Sequence, residues 1–218
     1  VVAVLSGCGV VCDDACEAEK FDARTGQTPV ETWAEAKKVL EALPTVRYRD
    51  LPEAYVERSG QDRSPFARRL RRRTYVVVDG DARHRFIAGR TRLSALMGGD
   101  EKYLLVDPRL VRTLVRLRHW LKKEGYDPDG YVVREGFRPP TLNEDVGGAP
   151  KSRHIYGEAV DLVRGDLDRD GDEDQDDKAI LLRAAEAVIG NRGGVGRYPG
   201  SETVHIDVRG RRARWDSY

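Results

Sequence analysis

The chain lacks most of what would mark a membrane, nucleic-acid or disulfide-framed protein. It has no apolar run of about 18 residues or more, so nothing in this stretch spans a bilayer by itself. Aromatic residues make up only 7%, too few to suggest platforms for stacking bases. The 38 Lys and Arg are matched by 37 Asp and Glu, and a net charge of +1 gives no global field that favours nucleic acid. Cysteine is absent beyond Cys16; Cys8, Cys12 and Cys16 are spaced by four, not as the closer pairs of the usual zinc knuckles. What remains is a chain of 218 residues, 34% of them charged, long enough for one full domain or for one domain with a substantial extension.

Residues 1–30 read as a lipoprotein signal remnant followed, over residues 9–30, by a tether of mixed polarity without sustained period. Their start, Val1 to Leu5 followed by Ser6-Gly7-Cys8, resembles the end of a bacterial lipoprotein signal, with Cys8 as the acylated residue. Cys12 and Cys16 would then form an even pair suited to a disulfide in an oxidising compartment. Residues 31–43 predict a helix with Trp33, Ala36, Val39, Leu40 and Leu43 on one face, ended by Pro44. Arg68-Arg69-Leu70-Arg71-Arg72-Arg73 is the most basic segment, read as a solvated face or as an attraction to anionic envelope polymer or lipid headgroups. Tyr75 to Val78 and His84 to Ile87, on either side of Asp79-Gly80-Asp81, predict a β-hairpin in which His84 is a surface residue. No function follows for residues 31–100, which form an accessory region.

From Leu110 to Lys123 the leucines Leu110, Leu114, Leu117 and Leu121 fall on one helical stripe, with Pro108 near the first turn and Gly125 past the end. His119 on this helix has no ligand partner nearby in sequence and reads as a packing or solvent residue. Tyr131-Val132-Val133 predicts a strand that delivers the turn Gly136-Phe137-Arg138.

Two short strings carry the chemistry. Ser152-Arg-His154-Ile-Tyr-Gly157-Glu-Ala159-Val-Asp161 and Glu202-Thr-Val-His205 supply two imidazoles and a carboxylate able to hold zinc, plus a spare acid. A catalytic zinc site needs three protein ligands and an open position, and His154, Asp161 and His205 are the right kinds of group. Gly157 lets the chain turn after His154, and strand alternation then sets Ala159, Asp161 and Val163 on one face. A second strand over residues 203–208 sets His205 and Asp207 on one face, with Val204, Ile206 and Val208 towards a core. Glu202 is the candidate general base, provided that it lies in a bend, because residues three apart in a regular strand point to opposite faces. Asp207 is the alternative base, or the partner of a ligand histidine.

The order Ser152-x-His154-x-x-Gly157-x-Ala159-x-Asp161 and then Glu202-x-x-His205 resembles the zinc D-alanyl-D-alanine carboxypeptidase family, whose superfamily includes vancomycin-resistance dipeptidases and the Hedgehog signalling domain. Gly136-Phe137-Arg138-Pro139-Pro140 is similar to the family's arginine-bearing turn, and residues 193–207 resemble a branch that includes murein endopeptidases. The resemblance covers residues 104–215. It implies an α+β, Hedgehog/D,D-peptidase-like fold over residues 101–218, with a small antiparallel sheet flanked by helices. It further implies hydrolysis of an amide in peptidoglycan stem peptides or cross-links, with Glu202 moving the proton and Arg138 holding a substrate carboxylate or the oxyanion. Thr203 stands where some relatives carry a further histidine. The Hedgehog branch implies the alternative, a zinc-containing binding domain without catalysis.

Residues 166–177 resemble an EF-hand loop, with Asp166, Asp168, Asp170, Asp172, Asp174 and Asp177 at the oxygen-donor positions and Gly171 at the turn. Asp177 replaces the usual glutamate, as in dockerin loops. Calcium there would be structural, relieving the repulsion among neighbouring carboxylates and joining the Asp161 strand to a helix over residues 178–188. Taken together, the expectation is an envelope-anchored bacterial zinc peptidase, without nucleic acid as a partner.

Overall fold

The computed structural model describes residues 26–52, 55, 65–98 and 102–216. Cys8, Cys12 and Cys16, with the lipid anchor expected at Cys8, lie outside these residues. The architecture is α+β. Five strands form the principal sheet: β6 (Tyr131–Glu135), β7 (Ala159–Arg164), β8 (Gly194–Gly196), β9 (Thr203–Asp207) and β10 (Ala213–Trp215), in the spatial order β10-β8-β9-β7-β6. Every neighbouring pair is antiparallel except β10 and β8, which run parallel.

The helices follow from their apolar stripes and caps. In α1 (Trp33–Glu41), Thr32 accepts from the Glu35 backbone N–H at 3.3 Å and the Glu35 carboxylate accepts from the Thr32 N–H at 2.9 Å, a reciprocal cap that sets the start. A short helix, α2 (Pro65–Arg71), carries the first four residues of the basic segment, and Arg72 and Arg73 follow its end. Asp107 caps α3 (Pro108–Lys123), whose four predicted leucines are all buried, each contributing about 1.5–3 kcal/mol of apolar burial. Another short helix, α4 (Pro140–Asp145), follows the arginine turn, and α5 (Gln175–Ile189) lies against the principal sheet with Ile180, Leu181, Ala184 and Val188 buried. Val160, Leu162, Val204 and Ile206 point to this core, leaving the opposite sheet face for Asp161 and His205.

The accessory region shares that core. Three strands, β1 (Thr45–Arg47), β2 (Thr74–Val77) and β5 (Tyr103–Leu104), form a second sheet, so residues on either side of position 100 pair directly. Arg118 of α3, itself buried, reaches back to Glu31 at 3.1 Å. The expected hairpin over residues 75–87 does not form. Both edges of β2 are taken, by β1 and β5, and Gly80–His84 winds into a 3₁₀ turn instead of a tight reversal. Beyond it β3 (Phe86–Ala88) is buried at all three positions and pairs with β4 (Thr91–Arg92). A strand with no exposed face has no period-2 signal to read. His84 and His119 are both exposed, as expected.

Candidate metal centre

Asp161 and His205 stand directly opposite each other where β7 pairs with β9. Cross-strand partners project to the same side, so one register position fixes two of the three candidate ligands. His154 comes from a 3₁₀ turn, His154–Tyr156, ended by Gly157 in the left-handed region at φ 63°. A Cβ there would come within 2.0 Å of the Leu105 carbonyl oxygen, so both the backbone angle and the close approach require glycine. The turn folds His154 back over the sheet.

The three groups converge. His154 Nε2 lies 3.2 Å from His205 Nδ1 and 3.5 Å from Asp161 Oδ2, and His205 Nδ1 lies 2.8 Å from Asp161 Oδ1. Tetrahedral zinc with bonds of about 2.0–2.1 Å separates its ligand atoms by about 3.3 Å, so the spacing fits that ion. Outer contacts aim both rings. His154 Nδ1–H donates to the Gly136 carbonyl at 2.7 Å, which leaves Nε2 as the free lone pair. His205 Nε2 faces the Asp207 carboxylate at 3.3 Å, which leaves Nδ1 for the cluster. Asp207 is the ring's partner and not a free base: it is fully buried and held by Arg209 Nε at 2.8 Å. Trp215 packs against the His205 ring, centroids 5.1 Å apart.

Electrostatics matches this geometry. Burial alone would raise the Asp161 pKa, but hydrogen bonds and charge from His154 and His205 outweigh it and hold the carboxyl well below its usual range. Burial would lower the His205 pKa, yet Asp161 and Asp207 raise it. Asp207 is depressed as well: His205 and Arg209 overcome its desolvation.

The two residues expected to do the chemistry fare differently. Arg138 lies in the turn over the site, its backbone N–H donating to the His154 carbonyl at 3.3 Å. Its guanidinium grips Glu135 through two bonds of 2.6 Å and reaches Asn143 at 3.2 Å. Glu202 is not brought into the cluster. Its side chain is 62% exposed and lies 3.4 Å from Arg164, on the sheet face away from Asp161. The bend at residues 201–202 does not reverse the strand parity that separates Glu202 from His205.

Glu135 is the carboxylate that the sequence did not reveal. Strict alternation from Tyr131 and Val133 would point it into the core. A register shift between Val133 and Glu135 instead sets it opposite Asp161, on the site face. Tyr198 was missed too. It adopts φ 40°, unusual for a non-glycine residue, and its carbonyl accepts from Lys178 Nζ at 2.9 Å. Burial foremost, with the charges on Asp161 and Asp207, raises its pKa against the opposing influence of Trp215 and Arg138.

In the acidic loop the structure gathers three of the six expected ligands. Carboxylate oxygens of Asp166, Asp168 and Asp177 lie within 4.8 Å of one another, and Asp166 Oδ1 is buried without a hydrogen-bond partner. Asp170 and Asp174 instead accept from backbone N–H groups two residues on, and Asp174 and Asp177 form the reciprocal cap of α5. Asp172 joins neither group among the described residues. Gly171 turns the loop at φ 98°.

Comparison with known proteins matches the part of the chain that carries this centre. A family model described as peptidase M15 matches residues 99–207, half of the chain, and that span contains every candidate ligand. A zinc D-Ala-D-Ala carboxypeptidase of Streptomyces albus G is 56% identical over 34 residues, which are 16% of this chain and 13% of that relative.

Proposed function

The chain belongs to the peptidase M15 family, and from that premise we propose that it is a zinc-dependent hydrolase of an amide bond in peptidoglycan stem peptides or cross-links. The observation that carries the proposal is the convergence of His154 Nε2, His205 Nδ1 and an Asp161 oxygen at mutual distances of 2.8–3.5 Å. Zinc held by these three would supply a Lewis acid for the scissile carbonyl and make a nearby water more acidic. The rest falls to the chain itself.

Gly136 and Asp207 hold the two imidazoles in tautomers that leave His154 Nε2 and His205 Nδ1 as the lone pairs that would hold the zinc. Arg138, pre-set by Glu135, offers a planar fork to a substrate carboxylate or to the negative charge that develops on the attacked carbonyl. An anion that draws Arg138 away releases the Glu135 carboxylate, which is then free to take a proton from water and return it to the leaving amine. In this reading Glu135 takes the role expected of Glu202. The second reading keeps Glu202 as base and requires its exposed side chain to leave Arg164, 3.4 Å away, and swing to the site face when substrate binds.

Turnover of defined cross-linked muropeptides by the zinc-loaded protein tests the proposal, with mass analysis of the products. Glu135→Gln should lower kcat about 10²–10⁴-fold while Glu202→Gln leaves it near wild type. The reverse ranking supports the second reading. No cleavage by the zinc-loaded wild type would favour a zinc domain that binds without hydrolysing.

We further propose that Asp166, Asp168 and Asp177 hold a structural calcium ion. The buried, unpartnered Asp166 Oδ1 supports this, as does the elevated pKa of Asp168, which desolvation and neighbouring carboxylates raise. The same proposal locates the protein in a bacterial envelope, with a lipid on Cys8. No helix among the described residues is long and apolar enough to cross a membrane.

A further inference from the structure

The basic segment has no task in the metal centre, yet two of its arginines, Arg69 and Arg73, converge on a buried carboxylate. Glu158 is fully buried, and four guanidinium groups converge on it: Arg69, Arg73 at 3.0 Å, Arg153 at 3.3 Å and Arg109 at 3.5 Å. Asp107, also buried, takes Arg109 at 2.8 Å and Arg73 at 3.6 Å. Two carboxylates therefore face four cations. Arg68 and Arg72 add two more and make no ion pair among the described residues. Among the described residues, Arg68, Arg69, Arg72 and Arg73 line a concavity of about 440 Å³. Arg72 and Arg73 also wall an adjoining one of about 540 Å³, lined further by Arg47, Tyr48, Arg49, Arg71 and Thr74.

We propose that these two adjoining basins bind a linear polyanion of phosphodiester groups, with Glu158 as the internal anchor that holds the arginines in place. The net charge of the chain is only +1, so the arginines here are offset by acidic groups elsewhere, among them the loop at residues 166–177. A carboxylate inside the protein orders the forks without neutralising them, and the excess cations repel one another until an external anion arrives. Guanidinium groups around a basin can enclose a tetrahedral phosphate from several sides, whereas a planar carboxylate presents two oxygens in one plane. Two basins with a shared wall suit successive charges on one polymer.

Other phosphate sources suit the surface less well. The neighbouring aromatics Tyr48 and Tyr156 are 7% and 5% exposed, and Arg69 covers the Tyr156 ring at 4.3 Å, so neither offers a face to a base. The large apolar side chains exposed among the described residues are Val132 and Val146, neither of which lines the basins, so no apolar anchor for a bilayer accompanies the charge. This site is separate from the metal centre and stands whether or not the peptidase reading holds.

The test is calorimetric titration of the full zinc-loaded chain with poly(glycerol phosphate) at several salt concentrations. Parallel titrations use inorganic phosphate, poly-L-glutamate, a DNA oligonucleotide and phosphatidylglycerol vesicles. Arg68→Gln combined with Arg72→Gln spares the contacts to Glu158. It should weaken polymer binding roughly tenfold or more and reduce the slope of log K against log salt by about two. Zinc content and hydrolysis of a small muropeptide should stay at wild-type values. Arg68→Lys with Arg72→Lys, which keeps the charge but loses the forks, serves as a second variant and should bind between the two. Equal binding by wild type and variants overturns the site, as does an absence of polymer binding at low salt. Tighter binding to DNA, vesicles or polyglutamate than to the phosphodiester polymer overturns the assigned ligand.

Discussion

Replacing Asp207 by Asn tests whether the outer carboxylate sets the quality of the metal centre. Asp207 is 0% exposed and accepts from Gly194 N–H at 3.2 Å, Arg209 N–H at 3.0 Å and Arg209 Nε at 2.8 Å, besides facing His205 Nε2 at 3.3 Å. Gly194 is what admits it so closely, since a Cβ there would lie 2.2 Å from Asp207 Oδ2. Asparagine keeps the shape but removes the charge that makes His205 a stronger ligand and orients its ring. Loss of such an outer partner costs about 10–100-fold in metal affinity, or about 1.4–2.7 kcal/mol. The assay is competition for zinc against a chromophoric chelator near neutral pH, with His205→Ala as the variant that loses the ligand outright. Zinc affinity indistinguishable from wild type would refute the reasoning, because Asp207 would then be no more than a buried partner of Arg209. A fall as large as that of His205→Ala would refute it equally, because the effect would be collapse of the strand and not a tuned ligand.

Glu158→Gln should destabilise the fold by about 3–5 kcal/mol, since it leaves four guanidiniums around an uncharged buried group; urea unfolding checks the value. Saturating calcium at 100 times its dissociation constant should add about 2.7 kcal/mol, a rise in Tm of about 5–11 °C, and Asp166→Asn should abolish the rise in a thermal scan. Burial opposes but does not prevent a lowered pKa at Asp107, where Arg109 and Arg73 stabilise the charged form. Stability from a depressed carboxyl is present above its unfolded pKa and is lost as pH falls through the folded value. The stability difference between wild type and Asp107→Asn should thus be complete at neutral pH and shrink below about pH 4.

The sequence was most legible where one periodic pattern met one chemical demand. Strand alternation through Ala159–Asp161–Val163 and Val204–His205–Ile206 put both strand-borne candidate ligands on one face, as the pairing of Asp161 with His205 has it, and the leucine stripe of α3 gave a buried helix with its expected ends. It failed where a single residue changes parity. Glu135 is set opposite Asp161 by a register shift that leaves no mark in composition, and Glu202, although it lies in a bend, sits beside Arg164 and not in the cluster. The hairpin over residues 75–87 failed for another reason: its strands take partners remote in sequence, and β3 is buried on both faces. Glu158 was illegible altogether. A carboxylate beside the Ala159 strand gives no sign that arginines from α2 and the residues just after it, from the start of α3 and from the turn before His154 will close on it.

Zinc K-edge X-ray absorption on the metal-loaded protein addresses the centre most directly. The account predicts one zinc per chain with two imidazole nitrogens, one carboxylate oxygen and one exchangeable light-atom ligand, all near 2.0–2.1 Å. His154→Ala, Asp161→Ala and His205→Ala should each remove that signature. Full zinc occupancy with an unchanged spectrum in any of the three variants would contradict it.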